Sequence, residues 1–225
     1  MVTLTEAGSR HVQALRLGPG DAVTLFCGDG AECAAEIVDI HRRGAVVRLT
    51  VCAARDRESP LHVTLAQGVC AGDRMDWVIQ KAAELGVAAV QPLVTERSVV
   101  RLDAERRERR RLHWQNVAVA ACEQCGRNRI PEVAPALALD QFLAAPAGTA
   151  RRILLMPDAP LRLADLPAAV AAVVAVGPEG GFSPAERALL QEHAFVPVRL
   201  GPRILRTETA PLVALALLQS LWGDL

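Results

Sequence analysis

Val173-Val174-Ala175-Val176-Gly177-Pro178-Glu179-Gly180-Gly181-Phe182-Ser183-Pro184-Ala185-Glu186 decides how this chain folds. A short apolar run closed by glycine suits a strand buried on both faces, as in a parallel sheet. Ser183, Pro184 and Glu186 then spell a helix start. They supply a capping hydroxyl, a proline at the first helical position and a capping-box carboxylate three residues after the cap. Gly177, Gly180 and Gly181 stand between strand end and helix start, where an open α/β sheet holds its ligand.

A second stretch, Val198-Arg199-Leu200-Gly201-Pro202-Arg203-Ile204-Leu205-Arg206-Thr207-Glu208-Thr209-Ala210, repeats the strand-then-turn plan and loads the turn with charge. Neither stretch carries G-x-G-x-x-G after a first strand or G-x-x-x-x-G-K-[ST]. A glycine loop alone is explained by tight-turn geometry. Arg206 and Glu208 add charge at the same sheet edge, which suits a cofactor that is part nucleoside and part amino acid.

Outward from these loops, strand and helix patterns alternate. His62 to Val69 reads as a strand, Met75 to Leu85 as a helix stopped by Gly86, and Ala88 to Leu93 as a strand. Asp103 to Cys125 is a long helix, charged first and apolar later. A short strand near Ile130 to Val133, a helix from Asp140 and a strand over Ile153 to Met156 follow. This alternation predicts an α/β domain with a largely parallel sheet over residues 60–225. Its last helix, Pro211 to Trp222, is uncharged, so it packs either into the core or against another subunit.

Residues 1–57 read differently. Short β-type runs at Val23 to Phe26, Glu36 to Ile40 and Val46 to Val51 are separated by Gly28-Asp29-Gly30 and Arg42-Arg43-Gly44. A short helix, His11 to Leu17, precedes them, and the whole suggests a small β-barrel. Arg55-Asp56-Arg57-Glu58-Ser59-Pro60 is polar and serves as the linker.

In composition the chain is an ordinary globular protein: 51% of its 225 residues are apolar and 22% charged, with room for a sizeable core. No membrane-spanning run or signal segment is present, so a cytoplasmic protein is expected. Net charge is zero, yet Lys81 is the only lysine and arginines cluster at 97–111, 127–129 and 199–206. Arginine forks suit phosphates and base edges; a general preference for Arg over Lys explains the surface helix equally well. Of six cysteines only Cys122 and Cys125 have C-x-x-C spacing, which completes no metal set. No disulfide framework is expected, and most of the cysteines should be small buried apolar residues.

Taken whole, the two loop stretches, with Lys81-Ala82-Ala83-Glu84-Leu85-Gly86-Val87 and Ala121-Cys122-Glu123-Gln124-Cys125-Gly126-Arg127, resemble the trefoil-knotted (SPOUT) RNA methyltransferases. Within them the chain is similar to the ribosomal RNA small subunit methyltransferase E family over nearly its whole length. The resemblance implies S-adenosylmethionine as cofactor and N3 of a uridine in small-subunit (16S) ribosomal RNA as acceptor. It further implies a homodimer acting on an assembled or assembling small subunit, and a PUA-like RNA-binding domain at residues 1–57. A knot follows from the resemblance alone, since knots are nearly absent from proteins. Members of the family begin with a further strand of arginine and aromatic residues ahead of the first helix; the resemblance implies that its absence here removes an edge strand and some RNA contacts.

Proton removal from uracil N3 requires a base, and the resulting charge spreads onto two carbonyl oxygens. Arg206 and Glu208 are the catalytic candidates; a surface ion pair at a helix start is the plain alternative. Glu179 either meets the cofactor or caps the next helix. The implied cofactor contacts are Leu155-Met156-Pro157, then Gly177, Pro178, Glu179, Gly180 and Gly181, then Leu200, Gly201, Ile204, Leu205, Arg206 and Thr209. The implied substrate contacts are His11, Arg16 and Arg97, together with Glu123, Gln124, Arg127 and Asn128 at the end of the long helix. The run 106–111 is either a solvated face or a phosphate contact. Two other readings remain: an inactive RNA-binding module of the same fold, and a methyltransferase of this fold acting on another RNA. An unrelated nucleotide-dependent oxidoreductase would need the missing dinucleotide fingerprint.

Overall fold

The computed structural model describes residues 1–41, 44–98, 104–146 and 148–225, so Arg42 and Arg43 of the first turn, and Arg101 and Asp103, lie outside the described residues. The chain forms two compact units, Met1–Arg57 and Glu58–Leu225. In the first, β1 (Val2–Thr3), α1 (Glu6–Ala14), β2 (Ala22–Phe26), β3 (Ala31–His41) and β4 (Gly44–Ala54) build an antiparallel sheet of order β1-β4-β3-β2. Ile37, Val47, Ala35 and Ala45 bury one face of that sheet against Val12 of α1.

Two expectations for this unit are corrected, the helix start and the cysteines. The helix begins at Glu6 rather than His11, because Thr5 Oγ1 caps it by accepting from the Gly8 N–H at 3.2 Å. Gly8 and the polar residues around it hid that turn from an apolar-period reading. A two-residue strand does stand ahead of the helix, Val2 and Thr3 pairing with Val47 and Val46, but it carries neither arginine nor aromatic residues and is not the strand expected from the resemblance. Cys33 and Cys52, directly opposite one another on β3 and β4, are joined by a disulfide, while Cys27 and Cys125 are exposed. Only Cys70 and Cys122 fit the expected buried thiols. Cross-strand register, which spacing does not reveal, makes the bond.

The second unit carries β5 (His62–Gly68), α2 (Arg74–Glu84), β6 (Ala89–Val94), α3 (Ala104–Cys125), β7 (Glu132–Val133), β8 (Leu137–Ala138) and α4 (Leu139–Leu143). It continues with β9 (Arg151–Leu155), β10 (Leu161–Arg162), β11 (Ala171–Val176), α5 (Pro184–Glu192), β12 (Val196–Arg199) and α6 (Thr209–Trp222). The strands lie in the order β10-β12-β9-β11-β5-β6-β7, with β8 also on β6, and the pairings are parallel.

Central β11 is apolar throughout because both of its faces are covered. Ala172, Val174 and Val176 face a core shared with Met75, Val78 and Ile79 of α2, Trp114 and Ala118 of α3, and Ala214, Leu215 and Leu218 of α6. Ala175 faces a second core with Leu139, Leu143, Leu190 and Phe195. The helix start at Ser183 is built as its residues predict. Ser183 Oγ accepts from the Glu186 N–H at 3.2 Å, and Glu186 Oε2 accepts from the Ser183 N–H at 2.8 Å.

Parallel strands put every strand's C-terminal end at one edge, so the loops after β5, β9, β11 and β12 gather there. Helices α2 and α3 run side by side in the same direction. His113 Nε2 lies 2.6 Å from Asp76 Oδ2 at one end, and Arg127 Nη1 donates to the carbonyls of Ala83 (2.7 Å) and Val87 (3.0 Å) at the other. No helix among the described residues is long and apolar enough to cross a membrane.

Candidate active site

A cleft of about 510 Å³ opens where the loops after β9, β11 and β12 meet; ligand pockets typically span about 300–1,000 Å³. Leu155, Met156 and Pro157 form one wall. Gly177, Pro178, Glu179, Gly180 and Gly181 form the second, and Leu200, Gly201, Ile204, Leu205 and Arg206 the third. Thr209, the first residue of α6, lies outside the lining.

The glycines are needed for space. A Cβ on Gly177 would stand 2.8 Å from the Phe182 nitrogen, and Gly181 has φ 67°, a conformation that L side chains rarely adopt. With no side chains between them, the backbone of this loop folds tightly and presents its own polar groups to the cleft.

Thr207 fastens two walls together. Its Oγ1 donates to the Gly177 carbonyl at 2.8 Å and accepts from Gln67 Nε2 at 3.3 Å, beneath the cleft. Cys70 packs beside this pair, and burial pushes its thiol up to about 11. It is therefore a protonated packing group at neutral pH, not a nucleophile.

Three of the cleft's charged groups contact one another. Glu179 Oε1 accepts from the Ala71 N–H at 2.9 Å and from Arg74 Nη1 at 2.7 Å. Burial raises its pKa, but the Ala71 N–H, its own N–H and the Arg74 guanidinium together outweigh that and hold the carboxyl below the ordinary range. The Glu179 bond in turn raises Arg74. Arg74 Nε also stands 3.9 Å from Glu208 Oε2, so one guanidinium faces both carboxylates.

These contacts bear on the capping and ion-pair readings of Glu179, Arg206 and Glu208. Ser183, not Glu179, caps α5. Glu208 is the N-cap residue of α6, but its side chain makes no capping bond, and it pairs with Arg74 rather than Arg206. Among the described residues Arg206 makes no ion pair; its exposed side chain lines the cleft.

The other candidates are placed elsewhere. Arg97 Nη1 donates to the Gly180 carbonyl at 2.8 Å, so it braces the glycine loop from behind. Arg127 is corrected: it is 7% exposed, and four of its five N–H groups are spent on both Glu58 oxygens and on the Ala83 and Val87 carbonyls. It clamps the end of the linker to the turn after α2 and reads no base. Asn128, 1% exposed, is buried as well. Glu123 and Gln124 share that end of α3, at the sheet edge opposite the cleft. His11 and Arg16 belong to the first unit, on α1 and just after it.

Sequence reading missed Arg74, Thr207, Arg187 and Arg203, all in the lining. For Arg74 the signal was present: Gly72-Asp73-Arg74 follows a strand as the glycine loops do. Its relevance depended on β5 being the neighbour of β11, which only the sheet order reveals.

Comparison with known proteins agrees with this geometry. The sequence profile of an RNA methyltransferase domain matches residues 57–219, and that of an RNA methyltransferase PUA domain matches residues 4–50. Ribosomal RNA small subunit methyltransferase E of Synechocystis is 38% identical over 98% of this chain and 73% of its own length. The Bacillus subtilis protein of that name is 33% identical over 91% and 84%. Among solved structures, ribosomal RNA small subunit methyltransferase E of Neisseria gonorrhoeae, bound to S-adenosylmethionine, aligns with TM-score 0.92 at 39% identity, over 99% of this chain and 92% of that one. A Legionella pneumophila putative methyltransferase, also with its bound cofactor, aligns with TM-score 0.94 at 42% identity over 100% and 93%. The parallel sheet with its flanking helices and the small antiparallel sheet ahead of it are the SPOUT and PUA-like architecture, and the chain belongs to the ribosomal RNA small subunit methyltransferase E family.

Proposed function

We propose that the protein methylates N3 of a uridine in small-subunit (16S) ribosomal RNA, acting in the cytoplasm as a homodimer on an assembled or assembling subunit. As a member of its family it is an S-adenosylmethionine-dependent RNA methyltransferase. The observation that carries the finer reading is the cleft itself. Apolar and backbone walls from three strand-end loops meet a charged set that includes Arg74, Glu179, Arg206 and Glu208. Such walls fit an adenosine, and the ionised Glu179 fits an ammonium group.

When bound, S-adenosylmethionine supplies a sulfonium-activated methyl group. The protein's part is to hold the acceptor in line and to manage one proton and one developing charge. Glu208, whose carboxylate is not engaged in capping, is placed to take the N3 proton. Arg206, without an ion-pair partner among the described residues, is placed to face the uracil oxygens as charge grows on them. His11 and Arg16 of the first unit contribute RNA contacts outside the cleft.

The dimer reading rests on α6. Pro211, Ala214, Leu215, Leu218 and Gln219 face the core, which leaves Leu217 (39% exposed) and Leu221 (47%) one turn apart on the outer side. Calorimetry with S-adenosylmethionine, followed by methylation of unmodified small subunits and nucleoside mass spectrometry, tests the function. A methyl group recovered on ribose or on another base would overturn the assignment to uridine N3.

A further inference from the structure

Beside the cleft lies a second hollow, of about 740 Å³, lined by Ala71, Gly72, Asp73, Arg74, Trp77 and Glu208. Arg74 and Glu208 also line the cleft, so the two cavities adjoin at these residues. Trp77 is 51% exposed, while Met75, Val78, Ile79 and Ala82 of the same helix are buried. An indole left half in water beside a charged hollow is unexplained by packing. Lys81 Nζ sits 5.4 Å from the ring centroid and pairs with Glu84.

The neighbouring helix adds a row of arginines. Since α2 and α3 run in parallel with His113 beside Asp76, α2 has two residues before that contact and α3 has nine. At 1.5 Å per residue the start of α3 projects about 10 Å past the start of α2, on the cleft side of the sheet. That projecting segment carries Glu108, Arg109 and Arg110, and Arg111, paired with Glu108, stands at its base.

We propose that Trp77 is a stacking platform for an unpaired nucleobase flanking the methylated uridine, with the start of α3 tracking the adjoining phosphates. This rests on the RNA methyltransferase reading of the cleft. Sequence-specific RNA recognition targets splayed single-stranded bases stacked on aromatic side chains, and a flat ring is worth about 1–3 kcal/mol per base, or about fivefold to a hundredfold in affinity. Asp73 and Glu208 face the same hollow, which favours a base with its N–H groups there and keeps phosphates on the arginines.

The test compares wild type with Trp77→Ala, Trp77→Leu and Trp77→Phe on unmodified small ribosomal subunits, measuring kcat, KM, S-adenosylmethionine affinity and the mass of the protein in solution. The expected result is a KM raised about fivefold to a hundredfold in the Ala and Leu variants, largely restored in Phe, with cofactor affinity and mass unchanged. Leu rescuing as well as Phe, or a changed mass, would make Trp77 an apolar contact with a second copy and overturn the platform. An active wild type with an equally active Ala variant would overturn the platform alone, whereas a wild type that methylates no subunit would remove the function beneath it.

Discussion

Arg206 and Arg109 are both exposed arginines, and their surroundings separate their work. Arg206 lines the cleft beside Glu208; Arg109 stands on the projecting start of α3. Charge that develops on uracil oxygens is met only in the transition state, so Arg206→Ala should lower single-turnover methylation by about tenfold to a thousandfold with little change in RNA affinity. Replacing Arg109 and Arg110 together should weaken RNA binding and flatten its salt dependence, since phosphate contacts act through counterion release. Single-turnover rates with binding at two salt concentrations separate the two outcomes. Glu179 gives a pH prediction. Its folded pKa lies below its unfolded one, so its contribution is present above the unfolded pKa and is lost as pH falls through the folded one. Melting temperatures of wild type and Glu179→Gln should therefore differ at neutral pH and converge on acidification. At this scale the sequence displayed Arg206 and Glu208 because a distinctive string carries them. It concealed Arg74, whose role depends on which strands are neighbours, and it misplaced Arg127, since a polar residue at a helix end looks the same whether it faces solvent or a half-buried carboxylate.

Elements were legible where local chemistry fixes them. The Ser183–Glu186 capping box needs four residues and no tertiary context, and both of its bonds form. Glu186 does one thing more: its Oε1 accepts from the Glu96 N–H at 2.9 Å, which ties the start of α5 to the end of β6. Ser183→Ala should cost about 1 kcal/mol for the lost cap, read as a lowered midpoint in denaturant. Glu186→Ala should cost more, because two N–H groups, the buried one of Ser183 and the part-buried one of Glu96, lose their acceptor. Elements that depend on pairing were not legible. β8 and β10 are two residues each, and β1 exists because β4 lies beside it. The disulfide between Cys33 and Cys52 belongs to the same class, since it follows from the strand register that sets two cysteines 19 residues apart opposite one another.

The whole molecule raises a question that a single chain leaves open, namely what Glu123 and Gln124 do at the sheet edge opposite their own cleft. The geometry of α3 is fixed by Arg127 against Ala83 and Val87, so no local motion carries Gln124 to the glycine loops of the same subunit. If these residues touch substrate, they do so in the cleft of a partner placed by the apolar outer side of α6. A two-fold dimer makes such sharing reciprocal, and reciprocity can be tested by mixing. Arg206→Ala and Gln124→Ala should each be poorly active alone. Unfolded together and refolded at equal concentration, they should form heterodimers with one cleft that holds an intact Arg206 from one subunit and an intact Gln124 from the other. Random pairing then predicts about a quarter of wild-type activity in the mixture. Leu217→Asp with Leu221→Asp, added to both variants, should abolish the recovery and give a monomer mass by light scattering. A mixture no more active than the average of its components, with dimers still present, would place Gln124 outside every cleft and leave the end of α3 a structural terminus.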